Sequence, residues 1–169
     1  MPEEPGARYV AVIGPADASA AERVLAQQVG RLLAERGAVV VCGGLGGVME
    51  AVCEGARRAG GVTIGLLPGS EHGAGNPYLS VEIPTGLGQA RNALVIGAAH
   101  TVIAVGGSWG TLSEVSLAMR AGKPVCQLAG GWPVGVAAGV PVPRPAATPA
   151  HAVSAALARH TDRPERTAW

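Results

Sequence analysis

Residues 90–125 read ARNALVIGAAHTVIAVGGSWGTLSEVSLAMRAGKPV, and the succession of residue types in this stretch decides the fold. The run from His100 to Val105 is apolar and β-branched, the composition of a strand buried on both faces of a parallel sheet. It stops at Gly106. Gly106, Gly107 and Gly110 allow a tight turn, and Thr111 is placed to cap the following helix, with Glu114 in its first turn. A strand that runs through glycines into a helix N terminus leaves backbone N–H groups open at the strand's carboxyl end, which makes an anion site. A carboxylate there needs another reason, capping or chemistry. It also needs a cation nearby, and Arg91, on the helix before the strand, is the candidate.

Outward from this stretch the same unit repeats. Arg8 to Ile13 reads as a strand closed by Gly14-Pro15, and Asp17 or Ser19 can cap the helix after it. Val24, Leu25, Val29, Leu32 and Leu33 give that helix one apolar stripe, and Gly37 ends it. Ala38 to Cys42 is a second strand, followed by Gly43-Gly44-Leu45-Gly46-Gly47 and a helix carrying Met49 and Glu50. Val62 to Leu67 is a third. The polar loop from Pro68 to Ser80 is long enough to be functional or mobile, and a short strand, Val81 to Ile83, leads to a helix expected over Leu87 to Ala99. Pro124 to Leu128 is a further strand.

Alternating strands and helices predict an α/β fold, a doubly wound parallel sheet of Rossmann-like type. The expected organisation is a single nucleotide-binding domain over residues 1–169, with 1–7 disordered, 130–147 irregular and a C-terminal helix over 148–160 that starts at Thr148-Pro149. In such a fold the turns after the strands share one edge, and ligands bind near the switch in strand order. Both glycine turns then face one crevice.

Glycine makes up 26 of 169 residues and clusters after strands, which favours functional turns over low complexity. The apolar content comes from Ala and Val, with two Tyr, three Trp and no Phe, so helices can pack closely on the sheet. A net charge of +1 offers no footprint for DNA or RNA. The acidic N terminus resembles neither a signal peptide nor a membrane span, so the default compartment is the cytoplasm. Cys42, Cys53 and Cys126 lack metal-ligand spacing and read as buried free thiols, and the four histidines form no metal pair. No metal site is expected. His72 is singled out only for its place in the long loop, and Trp109 for its place inside a glycine turn, where it could stack on a flat ligand. Trp132 and Trp169 read as packing or surface residues. The first turn lacks G-x-G-x-x-G, which argues against NAD, and the single lysine, Lys123, follows a helix instead of opening one, which argues against a P-loop.

An arginine in a helix followed by G-G-x-x-G-T-x-x-E, with Arg91 and Glu114 separated as in the family, resembles the LOG family, phosphoribohydrolases of cytokinin nucleoside monophosphates. GGLGGVMEAV, the run from Thr85 to Asn92, and GTLSE are more similar to a sister group that includes molybdenum cofactor carrier proteins. The resemblance covers about residues 8 to 128. It implies catalytic roles for Arg91 and Glu114 and a phosphate cradle of Gly107, Gly110 and Thr111. The ligand set expected from both turns is Gly43, Gly44, Gly46, Gly47, Glu50, Gly106, Gly107, Ser108, Trp109, Gly110 and Thr111, with Glu50 suited to ribose hydroxyls. In the family's Arg-Lys position this chain has Arg91-Asn92, and for its Pro-Gly-Gly it has Gly106-Gly107-Ser108. One positive charge is missing, and a side chain enters the phosphate turn.

Two functions follow as expectations. One is hydrolysis of the N-glycosidic bond of a nucleoside 5′-monophosphate, with no cofactor required for catalysis. The other is non-catalytic carriage of a phosphate-bearing pterin, the molybdenum cofactor. The partner is a phosphate-containing small molecule in either case, and the resemblance implies a homodimer or higher homo-oligomer.

Overall fold

A computed structural model describes residues 6–131 and 138–158. Seven parallel strands form one sheet: β1 (Tyr9–Ile13), β2 (Val39–Cys42), β3 (Thr63–Leu67), β4 (Val81–Pro84), β5 (Thr101–Val105), β6 (Val125–Leu128) and β7 (Arg144–Ala146). Their spatial order is β4-β3-β2-β1-β5-β6-β7. Among the described residues five α-helices cover the sheet, α1 (Ala20–Glu35), α2 (Val48–Arg58), α3 (Asn92–Ala98), α4 (Trp109–Arg120) and α5 (Pro149–Leu157). The chain winds outward from β1 to β4, then returns to β1's other side with β5. The carboxyl ends of β1 and β5 therefore flank the switch point, where such sheets bind ligands.

Period-two alternation divides the strand residues between two cores. Val10, Val12, Val40, Ile103, Val105 and Leu128 meet α1, α2 and α5 through Val29, Leu33, Val52 and Val153. Ala11, Ile13, Val41, Val102 and Ala104 face Val95, Ile96, Val115 and Ala118 of α3 and α4. The small-residue composition acts most visibly between α1 and α2. A Cβ at Gly30 would stand 2.9 Å from the Ala56 nitrogen, and one at Gly55 would stand 2.8 Å from the Gln27 carbonyl carbon, so the two backbones pack nearly against each other.

Several sequence expectations are corrected. Of the two proposed caps of α1, Ser19 fills the role in a reciprocal box: its Oγ accepts from the Glu22 N–H at 3.2 Å, and the Glu22 carboxylate accepts from the Ser19 N–H at 2.8 Å. The single helix expected over Leu87 to Ala99 is a 3-10 turn, Gly88–Arg91, followed by α3, because Gly86 and Gly88 both take positive φ and break the entry. The stretch 130–147 is not wholly irregular. It contains β7, three residues at the sheet edge paired with β6, too short and proline-rich for alternation to reveal. The C-terminal helix runs from Pro149 to Leu157 behind the Thr148 cap. Trp132, His160, Trp169 and most of the segment expected to be disordered, 1–7, lie outside the described residues.

Lys123 donates to the carbonyls of Ile96, Gly97 and Ala99 at the end of α3, at 2.5–2.9 Å. The single lysine thus closes a helix C terminus away from the switch point and serves structure. No helix among the described residues is long and apolar enough to cross a membrane.

Candidate functional site

At the switch point a cavity of about 350 Å³ is walled by the ends of β1, β2, β3 and β5. Gly14 and Ala16 come from the first turn, Leu45 and Met49 from the second, Pro68 from the third. Arg91 and Asn92 stand on the 3-10 turn and the start of α3, and Ser108, Gly110, Thr111 and Glu114 on α4 and its cap. The volume falls in the range of small-molecule sites.

Among the described residues that line the cavity, Arg91 is the only cation. It is 7% exposed, and its Nε is buried with no hydrogen-bond partner among the described residues. Gly43 explains how it fits: a Cβ there would stand 2.6 Å from Nη2, so the guanidinium occupies space that any side chain at Gly43 would fill. Burial lowers the Arg91 pKa, while the charges of Glu114 and Cys42 oppose that fall. Glu114, 8% exposed, has its pKa raised to about 7 by burial, with Arg91 pulling the other way. The two charges are within electrostatic reach but form no ion pair within 4.0 Å. A buried guanidinium with a vacant donor beside a carboxyl that titrates near neutrality can accept an anion, with proton uptake by Glu114 offsetting the added negative charge.

The helix wall differs from expectation. Ser108, not Thr111, caps α4, accepting from the Thr111 N–H at 3.3 Å, with its hydroxyl 3.0 Å from Thr111 Oγ1. The helix starts at Trp109, so Glu114 lies in its second turn, where it can project into the cavity instead of capping. Ser108 therefore closes the turn on itself while remaining in the cavity wall. Trp109, 83% exposed, lies outside that wall, and so do Gly106 and Gly107. Gly106 is buried beneath the Glu22 side chain, which ties the N terminus of α1 to the end of β5. That approach could not be read from sequence, where Glu22 is simply a polar residue off the apolar stripe.

The two glycine turns do face the same edge, yet they do not line the same cavity equally. Of the turn after β2 only Leu45 reaches the main cavity. Gly46, with Glu50 beyond it on α2, lines a smaller recess, and Gly43, Gly44 and Gly47 line neither. Glu50 faces Arg23 at 3.6 Å. Beneath the turn, the thiols of Cys42 and Cys53 are buried and free with sulfurs 3.5 Å apart. The Cys42 pKa is lowered, chiefly by the Cys53 S–H, and that of Cys53 is raised by the same bond and by burial. Sequence reasoning omitted Gly14, Ala16, Leu45, Met49, Pro68, Gly88, Gln89 and Asn92 from the site residues. The signal for Gly14 was present, since β1 is the central strand and its end must border the switch point. Among the described residues no group of three His, Cys, Asp or Glu side chains could hold a metal ion.

A doubly wound sheet with one buried cation and a helix N terminus around a switch-point cavity is the architecture of Rossmann-like small-molecule binders. The chain belongs to the SLOG cluster4 family, whose model matches residues 7–160. It is similar to the molybdenum cofactor binding protein of the phototrophic bacterium Rippkaea orientalis, 40% identical with a TM-score of 0.70 over 72% of this chain and 76% of that one. The molybdenum cofactor carrier protein of Chlamydomonas reinhardtii is 34% identical with a TM-score of 0.77, over 88% of this chain and 95% of that one. An uncharacterised protein of Archaeoglobus fulgidus is 39% identical over 119 residues, 70% of this chain and 78% of its own length. The resemblance to the carrier subgroup seen in GGLGGVMEAV and GTLSE is borne out.

Proposed function

We propose that this protein binds and carries a phosphate-bearing pterin, of which the molybdenum cofactor is the leading candidate, and holds it at the switch-point cavity without consuming it. The observation that carries this reading is Arg91: a buried guanidinium with an unsatisfied Nε, laid on Gly43 and opening on the first turn of α4. Arg91 holds the phosphate as a planar donor fork, and the α4 N terminus adds its dipole and the Gly110 N–H, with the Ser108 and Thr111 hydroxyls beside it. Similarity to proteins that bind or carry molybdenum cofactor supports the pterin as cargo. When bound, the cargo supplies its own metal and dithiolene chemistry, and the chain's residues only bind, orient and shield it. Protein purified under argon and then denatured under oxidising conditions is expected to release pterin fluorescence in stoichiometric amount. Absence of saturable pterin binding to the apoprotein overturns the reading.

Glu114 supports a second reading, hydrolysis of a nucleoside 5′-monophosphate to free base and ribose 5-phosphate. A largely buried carboxyl with a pKa of about 7 in a cavity wall can activate water or stabilise an oxocarbenium-like transition state. Incubation with AMP and N6-substituted AMP tests it by chromatography: free base, abolished in Glu114→Gln, establishes hydrolysis, and no base at high enzyme removes it. In this proposal the protein works in the cytoplasm as a homodimer or higher homo-oligomer, with exposed Leu94 and Leu117 on α3 and α4 in the interface. Sedimentation of the wild type against Leu94→Glu checks the assembly.

A further inference from the structure

On the far side of Leu45 from the main cavity, a second recess of about 220 Å³ opens between the β2–α2 turn and residues 74–77. Leu45 lines both spaces, and the neighbours Met49 and Glu50 on α2 face one each. The outer wall belongs to the long polar loop, which is pinned. Asn76 donates Nδ2 to the Leu45 carbonyl at 3.2 Å and its backbone N–H to the Gly44 carbonyl at 2.8 Å, while its Oδ1 accepts from the Tyr78 N–H. The Glu82 carboxylate accepts from the N–H groups of Gly73 and Gly75. These bonds hold the loop in place against the β2–α2 turn.

Its one ionisable side chain is Glu50. A carboxylate in the first turn of a helix complements the dipole, which accounts for the charge but not for the recess it faces. Glu50 is not part of a reciprocal cap, because the N-cap is Gly47 and has no side chain to offer. Arg23 approaches only to 3.6 Å, beyond hydrogen-bonding distance, and among the described residues the Glu50 carboxylate accepts no hydrogen bond. One oxygen feels the Arg23 charge, and neither is taken up by a hydrogen bond among the described residues.

The geometry points to a two-part ligand whose phosphate lies in the main cavity and whose heterocycle enters this recess, presenting two adjacent N–H donors to Glu50. A carboxylate only accepts, and two parallel N–H···O bonds are the arrangement that satisfies both its oxygens. The 2-amino-4-oxopyrimidine edge, common to pterins and guanine, offers that pair. The adenine edge sets a ring acceptor beside its amino group and turns a lone pair toward the carboxylate. Glu50 is thus the residue that selects the heterocycle, because a site built for paired donors rejects a ligand that leaves an oxygen unmatched. This assignment rests on the phosphate reading of the main cavity and adds where the heterocycle sits and which residue selects it.

Calorimetric titration of the purified full chain with GMP, AMP and inorganic phosphate tests it. GMP is expected to bind at least tenfold more tightly than AMP. Glu50→Gln, nearly isosteric and partly exposed, should melt like the wild type, lose the GMP preference and raise AMP affinity, because the amide can donate to the adenine ring acceptor and accept from its amino group, while phosphate affinity stays within about twofold. Arg23→Gln removes only the ion pair and should keep the preference. Equal binding of GMP and AMP to the wild type, or a preference that survives Glu50→Gln, overturns the recess assignment and leaves the phosphate site standing. If none of the three binds, the cavity reading falls and the recess assignment falls with it.

Discussion

In the turn after β2, three of four glycines sit where a side chain has no room. A Cβ at Gly43 meets the Arg91 guanidinium, one at Gly44 meets Leu67, and one at Gly47 meets the carbonyls of Pro15 and Ala16. In the turn after β5 a Cβ at Gly106 meets Glu22, while the nearest atom to a Cβ at Gly110 is Ser108 Oγ at 3.7 Å. The sequence shows two similar glycine clusters at two strand ends. The structure shows one cluster used to seat a cation and join two strand-end loops, and another whose last glycine, Gly110, is open at the cavity. Glycine can signal close packing of the protein on itself or close approach of a ligand, and only the neighbours distinguish them.

A methyl added to each turn puts that difference to a direct test. At Gly47, φ is +64° and the obstructing atoms are backbone, which cannot swing aside. Gly47→Ala is expected to cost about 3 kcal/mol and to lower the melting temperature by roughly 10 °C. Gly110→Ala should leave the melting temperature within about 2 °C, since its Cβ has space and it lies in a helix. It should nonetheless weaken phosphate binding, read by calorimetry. Equal destabilisation by both would mean that the two turns serve the same structural purpose.

Removing the cation comes next. Arg91→Met should weaken phosphate binding by about a hundredfold, the scale expected when charge-assisted hydrogen bonds from a buried cation to an anion are deleted, while stability holds or rises because a buried guanidinium with an unsatisfied Nε disappears. Affinity and melting temperature moving in opposite directions would identify Arg91 as kept for binding. If both fall together, Arg91 is chiefly a structural support for the turn after β2.

Glu114 supplies a pH-dependent version of the same test. Its pKa rises from an ordinary 4.5 to about 7 on folding, so the folded state binds the proton more tightly than the unfolded state. The contribution to stability is therefore fully present below about pH 4.5 and is lost as pH rises through about 7. Glu114→Gln removes that loss. Relative to the wild type it should gain roughly 2 kcal/mol at pH 8 and well under half of that at pH 5, less than the whole shift converts to because cavity water reaches the carboxyl. Melting curves at the two pH values check the sign, and a gain confined to pH 5 would refute the buried-carboxyl account.

The fold was legible where chemistry is local. The β-branched run of β5, the stripe of α1 and the glycine stops each announce one element, and their alternation implies the parallel sheet. β7 was not legible, because three edge residues, Arg144-Pro145-Ala146, draw their strand geometry from β6 alone. The site was half legible. Arg91 and Glu114 do meet in one cavity, as the glycine turn between them in sequence suggested. Trp109 stands outside the cavity wall, because adjacency in a turn says nothing about which way a helix's first side chain points. Glu50 was assigned to the same crevice as Glu114, whereas one step along α2, from Met49 to Glu50, rotates the side chain by about 100° into another recess.

The smallest effect concerns how each turn starts its helix. α2 begins on Gly47, which has no side chain to cap with, and α4 begins on Ser108, whose Oγ takes the Thr111 N–H. Ser108→Ala should cost about 1 kcal/mol, a shift of roughly 3 °C in melting temperature, and Ser108→Gly less than half of that, as expected for an N-cap. The same substitution frees the Thr111 N–H to face the cavity. If Ser108 is only a cap, phosphate affinity is unchanged or slightly higher in Ser108→Gly, the variant that returns the third position of the family's turn to glycine. If the hydroxyl instead binds the ligand, affinity falls in both variants, and the open turn is then defined by its serine as much as by its glycines.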